Sequence, residues 1–332
     1  MNEMKVVPVL LAILLLFFAT GPASGAGVLK QVRAKHEKML LETEGVTGVF
    51  DDPEANEIVV MVERSEHIRH VPEKVDGVRI RTMVTGKINA LDSAAAIPEA
   101  VSLPGKAVYS RIALNRPIFA GISLGNEAMP TGCGTLGLVV RGKDGEVYVL
   151  SNTHVLAMDR DANPVPGGTD AWQPGGCDGG SHVTRIGELA AAIPIDFTGS
   201  VENKADAAVA LLDDDIGYRL GQVLNLRNNG FYTVTGTTTV RPWSLVRKSG
   251  RSGGVVYGVV LSDSASVQVQ YAEGKTALFT DQVLTTPMSR PGDSGSPVDR
   301  NRKLVGLLFA GSDMITVVCK AEHFMGPLGI AL

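Results

Sequence analysis

Three short strings bring together the residue types needed to turn a serine into a nucleophile. They are Ser151-Asn152-Thr153-His154-Val155-Leu156-Ala157, Ala205-Asp206-Ala207-Ala208-Val209-Ala210, and Pro291-Gly292-Asp293-Ser294-Gly295-Ser296-Pro297. A serine hydroxyl attacks a carbonyl only when a base takes its proton. A histidine can be that base near neutrality, and a buried carboxylate fixes its tautomer and stabilises the imidazolium. The oxyanion formed on attack needs fixed donors, which backbone N–H groups in a glycine turn supply. The amides of Gly292 and Ser294 are the candidates, and Gly292 lets the backbone adopt the turn. His154, Asp206 and Ser294 are therefore the candidate catalytic residues. Their rivals lack the surrounding strings: His182 and His323 for the base, Asp196 and the run Asp213-Asp214-Asp215 for the acid, and Ser296 for the nucleophile. The triple acid reads as a solvated turn. His36, His67 and His70 have no Cys or Asp at ligand spacing and read as surface residues. No metal and no cofactor is expected.

Such groups need a rigid frame, and the chain offers strands. Leu136 to Arg141, a turn at Lys143-Asp144-Gly145-Glu146, and Val147 to Leu150 make a hairpin signal ending just before His154. Further strand-like runs lie at Ala207–Leu212, Val255–Leu261, Val267–Tyr271 and Leu304–Phe309. Many short strands between Gly, Asn, Asp and Pro clusters predict an all-β sandwich or barrels. Before them, residues 27–92 read as a small α/β module. Its elements are an amphipathic helix at Val28–Leu41, strands at Gly45–Phe50 and Glu57–Val62, a short helical stretch at Ser65–Val71, and a strand at Val78–Thr85. This module is a pro-region or an accessory domain. Residues 93–116 form a linker, rich in Ala, Ser and Pro at its start.

The 332 residues are 44% hydrophobic and 20% charged, with 38 glycines, which suits a globular chain with a real core. The net charge of −4 gives no basic field for nucleic acid. Lys5, the apolar run Val6–Ala19, the break at Gly21-Pro22 and the small residues Ala23–Ala26 make residues 1–26 a signal peptide. The apolar run is short for a span of roughly 20 residues, so no stable membrane insertion is expected once the signal is removed. The protein is expected to be secreted or at the cell surface. An exported chain favours disulfides, and Cys133 and Cys177 flank the His154 hairpin, so a bridge there would anchor it. Cys319 sits in an apolar run and reads as a buried thiol.

With these strings in view, the chain resembles the chymotrypsin-like serine peptidases of the trypsin superfamily. Gly292-Asp293-Ser294-Gly295-Ser296-Pro297 is similar to that family's nucleophile signature and Thr153-His154-Val155 to its histidine signature. The order His, Asp, Ser matches, with spacings of 52 positions from His154 to Asp206 and 88 from Asp206 to Ser294. The secreted prokaryotic members are most similar, through Ser-Asn-x-His-Val-Leu-Ala and through Lys248-Ser249-Gly250-Arg251-Ser252-Gly253-Gly254. The resemblance covers roughly Phe119 to the C-terminus and implies a double β-barrel over 117–332. It also implies a serine endopeptidase working on peptide or protein substrates through an acyl-enzyme. A catalytically weak binding or scaffolding protein on the same fold is the alternative.

Animal members of the family pair the acid before the nucleophile with a freed Ile-Val-type amino terminus. No such string lies near Phe119, so Asp293 is expected to pair with Arg251 or Arg290. Phe309 stands where the family usually carries serine. The family's primary pocket implies a floor at Met288 and a neck at Gly311. Uncharged Met288 and open Gly311 point to cleavage after apolar or aromatic residues, with Asp313 the acid that could instead serve a Lys or Arg.

Overall fold

The computed structural model describes residues 24–91 and 108–332. The signal segment lies almost wholly outside the described residues, as does much of the linker. The chain starts with helix α1 (Ser24–Leu41), which begins ahead of the expected Val28. Next come β1 (Val46–Asp52), β2 (Glu57–Val62), a short 3-10 helix at Ser65–His70 and β3 (Val78–Val84). β1 and β2 are antiparallel, and β2 and β3 are parallel. Asn56 takes a positive φ of 54° in the β1–β2 turn, as its breaker character predicts.

The run Glu57–Val62 is buried throughout, and its alternation explains why. Ile58, Val60 and Val62 pack with Leu29, Leu40 and Leu41 of α1. Val59 and Met61 face the other way and join the large core of the strand-rich region. The α/β module therefore shares a core with the strands of residues 108–332. His67, expected at the surface, is buried, because its ring packs on Gly45, where a Cβ would meet the ring at 2.1 Å.

The regular structure of residues 108–332 is almost all strand, as expected. One antiparallel sheet holds the hairpin β5 (Leu138–Gly142) and β6 (Val147–Ser151), together with β7 (Arg185–Ala192) and β8 (Ala208–Leu212). The second is built from β9 (Leu245–Gly250), β10 (Gly254–Ala272), β11 (Lys275–Thr285), β12 (Pro297–Arg300), β13 (Lys303–Gly311) and β14 (Thr316–Lys320). Its pairings run in a full cycle, β9–β12–β13–β14–β11–β10–β9, so these six strands form a ring.

The two separate strands expected at Val255–Leu261 and Val267–Tyr271 are one strand, β10. Its register against β11 shifts repeatedly between Val260 and Val267. Bulges there bend a single strand at the polar Ser262-Asp263-Ser264. The module joins this sheet by edge pairing: β1 lies antiparallel to β10, with Gly48 opposite Val267. Gln268 Nε2 also donates to the Leu41 carbonyl at 2.7 Å. Among the described residues no helix is long and apolar enough to cross a membrane.

Candidate active site

β6 pairs with β8 so that Ser151 lies opposite Ala208. That register sets the turn after β6 beside the residue entering β8. His154 sits in a one-turn helix, Thr153–Leu156, and Asp206 lies just ahead of β8. Flanking side chains lock the two segments together: Asn152 Nδ2 donates to the Asp206 carbonyl at 2.6 Å and Thr153 Oγ1 to the Ala207 carbonyl at 2.9 Å. This explains why the string around His154 carries Asn and Thr.

His154 Nδ1 is hydrogen-bonded to Asp206 Oδ2, and the His154 amide donates to Oδ1 at 3.2 Å. Asp206 is completely buried and His154 nearly so. A carboxylate beside Nδ1 makes that nitrogen the donor and leaves Nε2 as the basic one. The Tyr271 hydroxyl also donates to Asp206 Oδ2, at 2.8 Å, and the Tyr271 ring stands edge-on to His154 with centroids 5.6 Å apart. Sequence reasoning missed Tyr271. It lies 65 positions from Asp206 near the end of a long strand, and nothing local marks it.

Ser294 lies in the turn that leads into β12. Gly292 and Gly295 both have φ of 89°, a region that favours glycine. A Cβ on Gly295 would meet Ser151 Oγ at 2.2 Å and the Thr135 carbonyl at 2.3 Å. The turn is thus wedged against the strand that delivers His154. The Ser294 hydroxyl donates to the Phe309 carbonyl at 3.3 Å.

Asp293 anchors the turn, and its partner differs from the expected arginines. Lys248 Nζ lies 2.5 Å from Asp293 Oδ2, with both side chains wholly buried. The amides of Ser252, Gly253 and Arg290 complete the carboxylate's partners at 2.9–3.1 Å. Arg251 instead grips Asp178 with two bonds of 2.5 and 2.6 Å, beside the Cys133–Cys177 bridge. Arg290 contributes only its backbone amide. The reason is register: Lys248 precedes the β9–β10 turn on the side facing Asp293.

Cys133 and Cys177 are disulfide-bonded, with Cα atoms 5.6 Å apart. Replacing both with serine is expected to cost about 2–4 kcal/mol through the entropy regained by the unfolded chain. Chemical unfolding of the double variant against the parent measures this. Cys319 is buried behind Asp206, and burial, with a smaller push from the Asp206 charge, drives its thiol up to about 12. It is unreactive at neutral pH.

The rival residues lie elsewhere. His182 is exposed, and His323 pairs with Asp281 at 2.8 Å. Asp196 accepts from Thr198 and Val201 of its own loop, and Asp213 pairs with Arg185 at 2.7 Å. Ser296 Oγ is buried near Thr135 Oγ1.

Residues 88–91 lie along the cleft beside Ser294. The Gly292 amide donates to the Leu91 carbonyl at 2.6 Å, and the Leu91 amide donates to the Phe309 carbonyl at 3.2 Å. Ala90 and Asn89 pair antiparallel with Ala310 and Gly311 of β13. A Cβ on Gly311 would meet Ser289 Oγ at 2.8 Å and the Ile315 carbonyl at 2.9 Å. The Leu91 side chain joins an apolar cluster with Met288, Val246 and Val260. Met288 is thus a member of a buried apolar cluster, while Asp313 is exposed. Phe309, in place of a serine, still offers its carbonyl; its ring packs against Phe279.

In structure the chain is similar to bacterial chymotrypsin-like serine proteases. Thermobifida fusca Protease A is 21% identical, with a TM-score of 0.47, over 65% of this chain and 97% of that one. Nocardiopsis Protease is 17% identical, with a TM-score of 0.47, over 65% and 98%. Cellulomonas bogoriensis chymotrypsin is 18% identical, with a TM-score of 0.44, over 65% and 97%. No family model and no curated protein matches the sequence. Likenesses at this level leave the chemistry to be argued from the site itself.

Proposed function

We propose that the chain is an exported serine endopeptidase that uses Ser294 as nucleophile, His154 as general base and acid, and Asp206 to orient the imidazole. The observation that carries this reading is a buried, hydrogen-bonded His154–Asp206 pair together with a Gly292 amide, two residues ahead of Ser294, that already holds the Leu91 carbonyl. An oxyanion donor already holding a peptide carbonyl is what acyl transfer requires.

In the proposed reaction the Ser294 hydroxyl turns from the Phe309 carbonyl to His154 Nε2. Its oxygen attacks the peptide carbonyl carbon as its proton passes to His154. Asp206 stabilises the imidazolium without itself taking the proton, and the amides of Gly292 and Ser294 receive the oxyanion. His154 then protonates the leaving nitrogen. Water, deprotonated by His154, releases the acyl group and restores Ser294. β13 aligns the substrate as an added antiparallel strand, which gives affinity through the main chain and leaves selectivity to pockets.

Tyr271 acts as a positioning residue through Asp206. Removing its hydroxyl is expected to lower kcat by about tenfold with little change in KM, the loss of roughly one hydrogen bond to a charged group. Kinetics of Tyr271→Phe check this split.

The apolar cluster in which Leu91 meets Met288 supports cleavage after Leu, Met or Phe. A library of peptides differing only in the residue before the cut tests the reading. Apolar residues should be preferred over Lys and Arg by at least about 100-fold, since a buried cation without a partner is costly. A preference for Lys or Arg would overturn the pocket assignment, and no hydrolysis of any peptide would overturn the reading as a whole.

A further inference from the structure

We infer that Thr135 is a positioning residue for the oxyanion site, and that its hydroxyl sets the direction in which the Gly292 amide points. This rests on the peptidase reading. Thr135 is completely buried and lies two residues after Cys133, outside the three strings that carry the triad. Its Oγ1 donates to the Gly292 carbonyl at 2.9 Å, and its amide donates to the Ser294 carbonyl at 2.7 Å. Gly292 and Ser294 supply the amides that receive the oxyanion, and one residue holds the carbonyls of both. Among the described residues no other donor reaches the Gly292 carbonyl.

The direction of these bonds follows from the groups involved. The Arg251 amide lies 3.0 Å from Thr135 Oγ1. An amide only donates, so Oγ1 accepts that bond and its own proton must go elsewhere. The Gly292 carbonyl only accepts, and it takes the proton. The result is a directed chain from the Arg251 N–H through the Thr135 O–H to the Gly292 carbonyl. The Ser296 hydroxyl, at 3.5 Å, is a second and more distant donor to Oγ1.

Gly292 needs such a hold. Its φ is 89°, and glycine takes either sign of φ at little cost. Its amide and carbonyl lie in adjoining peptide planes hinged at the Cα, so freeing one plane frees the other. With the carbonyl on Thr135, the amide faces the cleft and meets the Leu91 carbonyl at 2.6 Å. Thr135 also ties this turn to the strand that delivers His154, because Ser151 Oγ donates to the Thr135 carbonyl at 2.8 Å. Gly134 permits the close approach: a Cβ there would meet Val155 Cγ2 at 2.5 Å and the Ser294 carbonyl at 3.0 Å. Thr135 is thus a buried link between the strand of the base and the turn of the nucleophile.

Thr135→Val keeps the backbone amide and the branched shape but removes the hydroxyl, and Thr135→Ser restores it. Both are made in the full chain carrying Leu91→Asp, whose carboxylate leaves the apolar cluster and draws residues 88–91 off the Gly292 amide. The substrate is succinyl-Ile-Asn-Ala-Leu-p-nitroanilide. Thr135→Val is expected to lower kcat by about 10- to 100-fold with little change in KM, less than the loss of a whole oxyanion donor. The aldehyde of the same tetrapeptide forms a hemiacetal oxygen that needs the same donors, so it should bind more weakly by a similar factor. Thr135→Ser should recover most of kcat. Hydrogen exchange of the Gly292 amide, measured with Leu91 intact, reads the same hold without any substrate. It should quicken by at least about tenfold in Thr135→Val while the amides of β5 and β6 exchange as before. An unchanged kcat or an unchanged Gly292 exchange overturns the inference. So does a fall in kcat that Thr135→Ser does not recover, or one accompanied by faster exchange throughout β5 and β6, since either marks a general loss of packing. A folded Leu91→Asp parent that does not hydrolyse the nitroanilide overturns the peptidase reading, and the inference falls with it.

Discussion

Replacing Ser294 with alanine is expected to lower turnover by about 10⁴- to 10⁶-fold. The size comes from the triad acting as a unit: once the nucleophile is gone, neither a correctly held base nor a filled oxyanion site can form an acyl-enzyme. His154→Ala should lose a similar amount, and Asp206→Asn as much or somewhat less. In Asp206→Asn the amide disturbs both the His154 Nδ1 contact and the Tyr271 hydroxyl bond. The fold should survive the Ser294 change, because the side chain is small and its one strand-side contact is to the Phe309 carbonyl. Steady-state kinetics with an unchanged unfolding midpoint checks both halves of the expectation. A Ser294→Ala protein turning over at the parent rate would remove the assignment.

The second large effect lies below the site. Lys248 and Asp293 are both fully buried and 2.5 Å apart. Burial pushes the lysine's pKa down, and the neighbouring carboxylate opposes that push. Removing one partner strands the other charge, so Lys248→Ala should cost about 3–5 kcal/mol. It should also reduce activity, because Asp293 ties the turn carrying Gly292 and Ser294 to the amides of Ser252, Gly253 and Arg290. Replacing both together, as Lys248→Met with Asp293→Asn, should recover much of the stability while activity stays low. Denaturant unfolding of the single and double variants reads this directly. A single Lys248→Ala change costing less than about 0.5 kcal/mol would show that the pair does not hold the turn.

What the sequence made legible was local. The strings around His154, Asp206 and Ser294 encode their own turns and strand entries, so those residues could be picked out before any fold was known. The module's helix and strands were readable from apolar period and breakers such as Asn56. The long-range partners were not legible. Asp293 pairs with Lys248 because of the register of β9 against its neighbours, and two nearby arginines were equally plausible from spacing alone. Tyr271 reaches Asp206 from the end of a bulged 19-residue strand that its own polar middle made look like two. His67 is buried by a contact with Gly45 that no periodicity announces. The docking of residues 88–91 against β13 depends on two distant segments meeting, and a short polar-apolar stretch carries no sign of it.

The whole of the proposed chemistry depends on Ser294 being an activated nucleophile. A fluorophosphonate reacts covalently with such a serine and hardly at all with an ordinary one. The chain carrying Leu91→Asp, which draws residues 88–91 off the Gly292 amide, should carry one adduct, on the peptide containing Ser294, after incubation with a small fluorophosphonate and digestion. His154→Ala should lose that adduct while keeping the same fold. An unlabelled Leu91→Asp protein, or an adduct that persists unchanged when His154→Ala is added, would contradict this chemistry and leave a binding protein on a protease-like frame.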